Sequence, residues 1–339
     1  MRAAYFTGHS SFSLVDVPAQ EPSASEVRIK VAFCGICGTD LHVFHGAMAE
    51  RIGNHRVIGH ESSGVIDAVG SKVTDFKCGD RVVVRPLDSC GECPACHRGH
   101  QHICQNLKFL GLDSDGAYQE QWIVPAHTIH KIPDSVSLSH AALIEPLAVA
   151  CHDVRRSRLQ SGEDVLVIGG GPIGLMVSTV AKAAGGNVTI SEVNSTRLDT
   201  AKKLGFKTLN PIKADVAEEL YAATGNKGAD VIFEVSGTQQ GVDTMTAAAS
   251  TRCRVVMVAI HNKAPQVDMF QFFWREIELL GARVYEPEDY EKAMQLIATG
   301  VLDCKTMITD VRDLAEINEA FQALGENPEA VKSLIKCSK

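Results

Sequence analysis

The sequence predicts two domains of different architecture, an irregular antiparallel β barrel and a doubly wound α/β domain with a parallel sheet. The chain has 339 residues, whereas a typical domain has roughly 100–200. Short strands separated by Gly and Pro fill the first third, and apolar strands that alternate with helices begin near residue 150. We therefore expect a β-rich domain at 1–148, an α/β domain at 149–288 and a return to the first domain at 289–339.

The barrel prediction comes from alternating apolar and polar residues in short runs. Residues 27–31 alternate as in a half-buried strand, and residues 64–69 and 81–84 resemble further strands. Their close punctuation by Gly and Pro favours a barrel over a parallel sheet.

The α/β prediction starts from residues 164–168, a continuous apolar run typical of a parallel strand covered on both faces. The pattern continues with the following predicted elements: a helix at 173–184, a strand at 188–191, a helix at about 195–204, and strands at 230–235, 254–259 and 278–285. Strands alternating with helices in this way are typical of a doubly wound sheet with right-handed crossovers. The alternation stops near residue 289, after which we expect amphipathic helices and one short strand.

Charge and hydropathy exclude several classes of partner. The net charge is −8, which argues against nucleic acid or an anionic membrane, because both require clustered Lys and Arg. No apolar run approaches the roughly 18 residues of a membrane span, and the N-terminus shows no signal-peptide pattern. We predict a cytoplasmic protein that acts on a small molecule.

A glycine-rich turn predicts a dinucleotide site. Residues 169–174 fit G-x-G-x-x-G between a predicted strand and a predicted helix, where backbone N–H groups and the helix dipole can face a pyrophosphate. Glu192 ends the next strand, where a carboxylate can accept hydrogen bonds from an adenosine ribose and repel a 2′-phosphate. NAD is therefore favoured, and NADP stays open because Arg197 lies nearby. The predicted cofactor-binding residues are Gly169, Gly171, Pro172, Ile173, Gly174, Glu192, Arg197, Val258 and Ala259.

Four closely spaced cysteines predict a structural zinc site. Cys90, Cys93, Cys96 and Cys104 lie in a lobe at 88–106 and supply the four thiolates of a closed tetrahedral site. An iron–sulfur cluster and reduced, metal-free thiols are the alternatives. The neighbouring His97, His100 and His102 are expected to face solvent.

A second set of residues offers metal ligands with one open position. Cys37, His60, Glu61 and Glu145 would supply one thiolate, one imidazole and one or two carboxylates. A catalytic zinc takes three protein ligands and leaves one place for water or substrate. Such a zinc favours alkoxide over alcohol, as hydride transfer to a nicotinamide requires. These candidates are far apart in sequence, so spacing alone does not establish that they meet.

The chain resembles the zinc-containing medium-chain dehydrogenases, in particular the branch of sorbitol, threonine and butanediol dehydrogenases. The motifs that carry the resemblance are Gly-Ile-Cys-Gly-Thr-Asp-Leu-His at 35–42, Gly-His-Glu at 59–61, the four-cysteine lobe, Ile-Glu-Pro-Leu-Ala-Val at 144–149 and the glycine turn at 169–174. The resemblance implies a GroES-like barrel joined to a Rossmann domain. It also implies assembly into a homotetramer or homodimer, with the 278–285 strand as a possible edge.

The resemblance also assigns roles to individual residues. Cys37, His60 and Glu61 would bind the catalytic zinc, with Glu145 as an alternating ligand or a residue just outside the ligand set. Thr39 would take the proton from the substrate hydroxyl, and His42 would pass it outward. Asp40 would serve the structure rather than the chemistry.

The implied activity is reversible oxidation of a secondary hydroxyl by NAD, on a polyol, a sugar acid or a vicinal diol. The alternatives are oxidation of L-threonine at its 3-hydroxyl and a non-catalytic, zinc-stabilised nucleotide-binding protein. Val43, Gln121 and Arg283 depart from the sorbitol dehydrogenase pattern, so the resemblance does not extend to sorbitol as the substrate.

Overall fold

Two structural units are seen in the computed structural model, which describes residues 1–53, 55–326 and 330–338. The first unit comprises Met1–Glu145, Glu286–Gly300 and Cys304–Lys339, and the second comprises Pro146–Tyr285 and Val301–Asp303. The sequence-based boundaries, 148 and 288, stand three residues beyond the ends of Met1–Glu145 and Pro146–Tyr285. The grouping of Val301–Asp303 with the second unit was not anticipated.

The first unit is built mainly from β-strands, numbered here along the chain. They are β1 (Arg2–Phe6), β2 (Phe12–Asp16), β3 (Glu26–Gly35), β4 (Arg56–Val57), β5 (Glu61–Val69), β6 (Arg81–Val84), β7 (Leu87–Asp88), β8 (Lys108–Phe109), β9 (Gln121–Pro125), β10 (Ile129–Lys131), β17 (Ile308–Asp313) and β18 (Lys332–Lys336). Its helices are α1 (Gly38–Phe44), α2 (Ala49–Ile52), α3 (Pro94–His97), α4 (Leu138–Ala141), α11 (Pro287–Ala298), α12 (Cys304–Met307) and α13 (Ile317–Glu326).

The long strand β3 organises this unit. Val27, Ile29 and Val31 are at most 2% exposed, as expected where alternate side chains of a strand enter a core. One side of β3 pairs with β5, and the other pairs first with β9 and then with β18. The mixed sheet formed by the described residues has the order β10-β6-β5-β3-β18-β17. The C-terminal part of the chain thus returns to the first unit through two strands rather than the single strand expected.

The second unit contains a parallel sheet with the order β13-β12-β11-β14-β15-β16. Its strands are β11 (Asp164–Ile168), β12 (Asn187–Ser191), β13 (Lys207–Leu209), β14 (Ala229–Glu234), β15 (Ala249–Met257) and β16 (Glu278–Gly281). Its helices are α6 (Pro172–Ala183), α7 (Ser195–Lys203), α8 (Val216–Ala223), α9 (Gln239–Ala248) and α10 (Met269–Arg275), and α5 (Ile144–Ser157) leads into it from the first unit.

The order of these strands confirms the predicted doubly wound fold. Chain progression reverses between β11 and β14, which is the switch point at which such sheets bind dinucleotides. Val165, Leu166 and Val167 are fully buried, as predicted for a strand covered on both faces.

The predicted strand at 278–285 is too long. β16 ends at Gly281, and Val284 has φ of 51°, a left-handed conformation that a strand does not accommodate. Tyr285 beyond it is fully buried.

Among the described residues, no helix is both long enough and apolar enough to cross a bilayer.

Gly174 is required for close packing between the glycine turn and α6. A Cβ atom at this position would lie 1.9 Å from the carbonyl oxygen of Gly169, whereas a Cβ at Gly171 would meet nothing nearer than 3.9 Å. We expect Gly174→Ala to lower the free energy of unfolding by about 1–3 kcal/mol and Gly171→Ala to change it much less. Chemical denaturation of both variants measures the difference, and equal losses would contradict this packing role.

Candidate active site and metal centres

The four cysteine sulfurs of the predicted lobe form a compact cluster. The Sγ–Sγ distances are 3.5 Å for Cys93–Cys96, 3.8 Å for Cys93–Cys104 and 3.4 Å for Cys90–Cys104. Thiolates at 2.3 Å around a tetrahedral zinc would stand about 3.8 Å apart. Because all four sulfurs lie within 4.8 Å of one another, the lobe fits one tetrahedral ion.

The electrostatics of the cluster support a cation at its centre. Backbone N–H donors, together with neighbouring thiols, lower the pKa of Cys90 and bring that of Cys93 to about 6. Burial, with the thiols of Cys93 and Cys104, raises the pKa of Cys96 to about 12. Four sulfurs this close do not all ionise without a counter-charge, which a divalent metal supplies.

The prediction that all three histidines of the lobe face solvent is wrong for one of them. His97 and His100 are exposed. His102 is only 8% exposed, and its Nδ1 lies 3.4 Å from Oε1 of Glu286. Since Glu286 is nearly 200 residues further along the chain, local sequence gave no sign of this contact.

The scattered ligand candidates Cys37, His60 and Glu61 come together in the first unit. Cys37 caps the N-terminus of α1, and its Sγ accepts a hydrogen bond from the N–H of Thr39. His60 precedes β5, which begins at Glu61, and both side chains are at most 2% exposed. One ligand atom from each of the three residues lies within 4.8 Å of the others. A thiolate, an imidazole and a carboxylate at this separation suit zinc.

Asp40 supports two of these candidates directly. Its Oδ2 accepts hydrogen bonds from the backbone N–H of Cys37 and from the hydroxyl of Tyr118, and its Oδ1 lies 3.6 Å from His60 Nδ1. Burial lowers the pKa of His60, but the negative charges of Asp40, Cys37 and Glu145 raise it well above its ordinary value. A carboxylate behind a metal-binding histidine commonly fixes the ring orientation, so Asp40 has a structural role close to the chemistry.

Lys332 is a site residue that the sequence reading missed. Its Nζ contacts both carboxylate oxygens of Glu61, with 2.5 Å to Oε1, and donates to the carbonyl of Ile36 at 2.9 Å. The lysine side chain is 4% exposed and that of Glu61 is 1% exposed. Burial lowers the pKa of Lys332, but the charges of Glu61, Cys37 and Glu145 raise it above its usual value. The only sign of a buried, paired lysine in the sequence was a Lys among the small and apolar residues of Val331–Ile335.

Glu145, Thr39 and His42 lie near this set or on its supporting helix. Glu145 is 6% exposed, and its charge helps raise the pKa of both His60 and Lys332. Thr39 and His42 are three residues apart on α1, which places them on one helix face. Thr39 is half-buried and His42 is exposed. This order suits the transfer of a proton from the interior of the site to solvent.

The predicted cofactor residues line the carboxyl edge of the parallel sheet in the second unit. The glycine turn follows β11, and α6 begins at Pro172, so Ile173 and Gly174 lie in its first turn. The carboxylate of Glu192 accepts from Gly170 N at 2.7 Å and from Asn194 N at 2.8 Å. An ionised carboxylate can accept about four hydrogen bonds, so Glu192 can also accept hydrogen bonds from ribose hydroxyls.

The other predicted cofactor residues flank this turn. An Nη atom of Arg197 lies 3.9 Å from Glu192 Oε2, and a Cβ built on Gly171 would lie 3.9 Å from the same guanidinium. Val258 and Ala259 follow β15, and both donate their N–H groups to the carbonyl of Glu234 at 3.0 Å.

Comparison with known proteins establishes the family. The alcohol dehydrogenase GroES-like domain matches residues 23–134, and the zinc-binding dehydrogenase domain matches residues 172–299. A 2-dehydro-3-deoxy-L-galactonate 5-dehydrogenase from Pseudoalteromonas atlantica is 52% identical over 100% of this chain and 99% of its own length. An L-galactonate-5-dehydrogenase from Escherichia coli K12 is 33% identical over 93% and 92%, respectively.

A solved structure agrees with these matches. An alcohol dehydrogenase from Escherichia coli CFT073, complexed with NADH, has a TM-score of 0.92 and 29% identity over 99% of both chains. The chain belongs to the zinc-containing medium-chain dehydrogenases, in their polyol branch. It is an oxidoreductase that acts on CH–OH donors, and the non-catalytic alternative is set aside.

Removing one sulfur should empty the four-cysteine site. We expect Cys96→Ser to reduce bound zinc from two ions to one per chain, because a structural zinc site needs all four ligands. His97→Ser changes the adjacent exposed residue and should leave the count at two. Elemental analysis of the purified proteins by mass spectrometry gives the result, and two zinc ions in the Cys96→Ser protein would contradict the assignment.

The Lys332–Glu61 pair should matter for stability. Lys332→Met leaves a buried carboxylate without its cation, which typically costs about 3–5 kcal/mol. Lys336→Met makes the same change at an exposed position of β18 and should have little effect. Urea unfolding of the two variants measures the contrast, and equal transition midpoints would show that the pair contributes nothing.

Proposed function

We propose that this protein is an NAD-dependent dehydrogenase of six-carbon sugar acids that oxidises a secondary hydroxyl, with 2-dehydro-3-deoxy-hexonates as the substrate class. The observation that carries the proposal is the 52% identity to a 2-dehydro-3-deoxy-L-galactonate 5-dehydrogenase over the whole chain. The donor set around Cys37 and His60 supplies the chemistry that such an oxidation requires.

Cys37 and His60 would hold the catalytic zinc, with a carboxylate from Glu61 or Glu145 as the third ligand. When bound, zinc acts as a Lewis acid that polarises a substrate hydroxyl and makes its proton easier to remove. The contacts of Lys332 to both oxygens of Glu61 reduce the charge that this carboxylate can offer a metal. Glu61 is nevertheless the carboxylate whose oxygen lies within 4.8 Å of the Cys37 and His60 ligand atoms. It would therefore be the third ligand, and Glu145 would alternate with it or lie just outside the ligand set.

The protein residues account for the movement of the hydroxyl proton. The Thr39 hydroxyl would accept it while releasing its own proton, which His42, one helical turn further along α1, would pass to solvent. Asp40 and the N–H of Thr39 keep Cys37 in position throughout.

For the dinucleotide, the free N–H groups at the start of α6 would face the pyrophosphate. Glu192 would accept hydrogen bonds from the adenosine ribose, and its negative charge disfavours a 2′-phosphate. Related dehydrogenases bind NADH in one solved structure and NADP in another, from Sinorhizobium meliloti 1021, so the preference for NAD rests on the carboxylate of Glu192.

Turnover of a substrate panel tests the proposal. The panel comprises 2-dehydro-3-deoxy-L-galactonate, L-galactonate, sorbitol, 2,3-butanediol and L-threonine, each with NAD and with NADP, before and after zinc chelation. We expect the highest kcat/KM for 2-dehydro-3-deoxy-L-galactonate with NAD, and loss of activity on complete zinc removal. A higher value for an uncharged polyol would reject the sugar-acid assignment, and full activity without zinc would reject the mechanism.

The same assay tests the proton path. Thr39→Val should lower kcat on the order of 10²–10⁴-fold, the usual contribution of a proton-transfer group. Thr74→Val makes the same change in an exposed loop of the first unit and should leave kcat unaltered. A Thr39→Val enzyme with normal kcat would remove Thr39 from the path.

We also propose a homo-oligomer, a tetramer or a dimer, formed through the β16 edge of the parallel sheet. Among the strands described, β16 pairs with β15 alone, and Leu279 on it is 46% exposed. Phe270, Phe273 and Trp274 on the preceding α10 are 61–77% exposed, an apolar patch typical of an interface. A reducing compartment such as the cytoplasm suits the eleven cysteines, none of which forms a disulfide.

A charge at the β16 edge should dissociate this assembly. We expect Leu279→Lys to reduce the molar mass measured by light scattering after size exclusion, because like charges would meet across a symmetric edge. Ile212→Lys places the same charge at another exposed aliphatic position, 76% exposed, and should leave the mass unchanged. An unaltered mass for Leu279→Lys would place the interface elsewhere.

A further inference from the structure

Glu234 in the second unit is a buried carboxylate that the proposed mechanism does not use. Glu234 is the last residue of β14 and is fully buried. In the sheet register it stands beside Ile168, the residue that leads into the glycine turn. It therefore lies at the carboxyl edge of the sheet, next to the switch point between β11 and β14.

The contacts of Glu234 suit a negatively charged side chain. Its Oε1 accepts hydrogen bonds from the N–H and hydroxyl of Ser236, at 2.9 and 2.5 Å, and from Gly237 N at 3.1 Å. Its Oε2 lies 3.1 Å from Nε2 of His261. Several donors around a buried carboxylate offset the cost of removing its charge from water.

The location of Glu234 relates it to one half of the dinucleotide site. A Cβ on Gly169 would lie 3.2 Å from Ser236 N, so the glycine turn and the turn after β14 are in contact. The N–H groups of Val258 and Ala259 bind the backbone carbonyl of Glu234 itself. Glu192, on the other side of the switch point, marks the adenosine half, so the edge formed by β14 and β15 serves the nicotinamide half.

A nicotinamide ring carries a positive charge when oxidised and none when reduced. We propose that the negative charge of Glu234, which accepts hydrogen bonds from Ser236 and Gly237, raises the affinity of this protein for the oxidised cofactor relative to the reduced one. This inference rests on the proposed dinucleotide function. It adds a residue that determines specificity for the cofactor's oxidation state without needing to touch the reacting atoms.

The expected size of the effect follows from Coulomb's law. Opposite unit charges about 8–12 Å apart, at the effective dielectric constant of about 20 that suits protein sites, change a binding constant on the order of tenfold. Ligands without a nicotinamide ring should not be affected, which separates an electrostatic role from a merely structural one.

The experiment measures dissociation constants for NAD+, NADH and ADP-ribose by isothermal titration calorimetry of the purified protein. Glu234→Gln removes the charge at nearly constant shape. It should weaken NAD+ relative to NADH on the order of tenfold, with ADP-ribose changed less than about twofold. Asp243→Asn removes one negative charge from an exposed position of α9 in the same unit and should leave the NAD+/NADH ratio unchanged.

A second variant covers the case in which Glu234→Gln does not fold. His261→Lys places a permanent cation beside Glu234 at a position that is 12% exposed, and it should shift the ratio in the same direction. Equal weakening of all three ligands, or an unchanged ratio in both folded variants, would overturn the inference. Wild-type protein that binds none of the three would contradict the proposed cofactor and remove the inference with it.

Discussion

The buried ion pair between Lys332 and Glu61 connects the two ends of the chain at the metal site. Its partners lie 271 residues apart, one beginning β5 and the other beginning β18, and β3 lies between these strands in the sheet. An unpaired charge at either position would be costly to bury. The position of Glu61 beside Cys37 and His60 therefore depends on the return of the C-terminal strands to the first unit.

Around this pair, the site is a set of mutually supporting charges. Asp40 binds the Cys37 N–H and faces His60, while Lys332 offsets one of the carboxylates that face the same space. A divalent metal would add positive charge to a region that already contains a thiol and three buried carboxyl groups, Asp40, Glu61 and Glu145. Metal binding and the folding of the first unit are thus coupled through the same residues.

The second unit uses charge in another way. Glu192 directly follows β12 and Glu234 ends β14, on opposite sides of the switch point, and both accept hydrogen bonds from backbone N–H groups of nearby turns. Glu192 would accept hydrogen bonds from a neutral ribose, and Glu234 would interact with the charge of the nicotinamide.

Local sequence predicted much of this protein, because the relevant physics acts over a few residues. The apolar run at 164–168, the glycine turn before α6 and the cysteine spacing at 90–104 each specify their structure through neighbours in sequence. The family resemblance supplied the scattered ligands Cys37, His60 and Glu61, which spacing alone did not bring together.

Only the tertiary structure decided the contacts between distant segments. Lys332 beside Glu61, His102 beside Glu286 and His261 beside Glu234 each join residues from different elements, and none has a local pattern that names its partner. The end of β16 at Gly281 likewise depends on the backbone conformation near Val284. The sequence by itself determined the two folds and their binding motifs, whereas burial and long-range pairing decided which charges support the site.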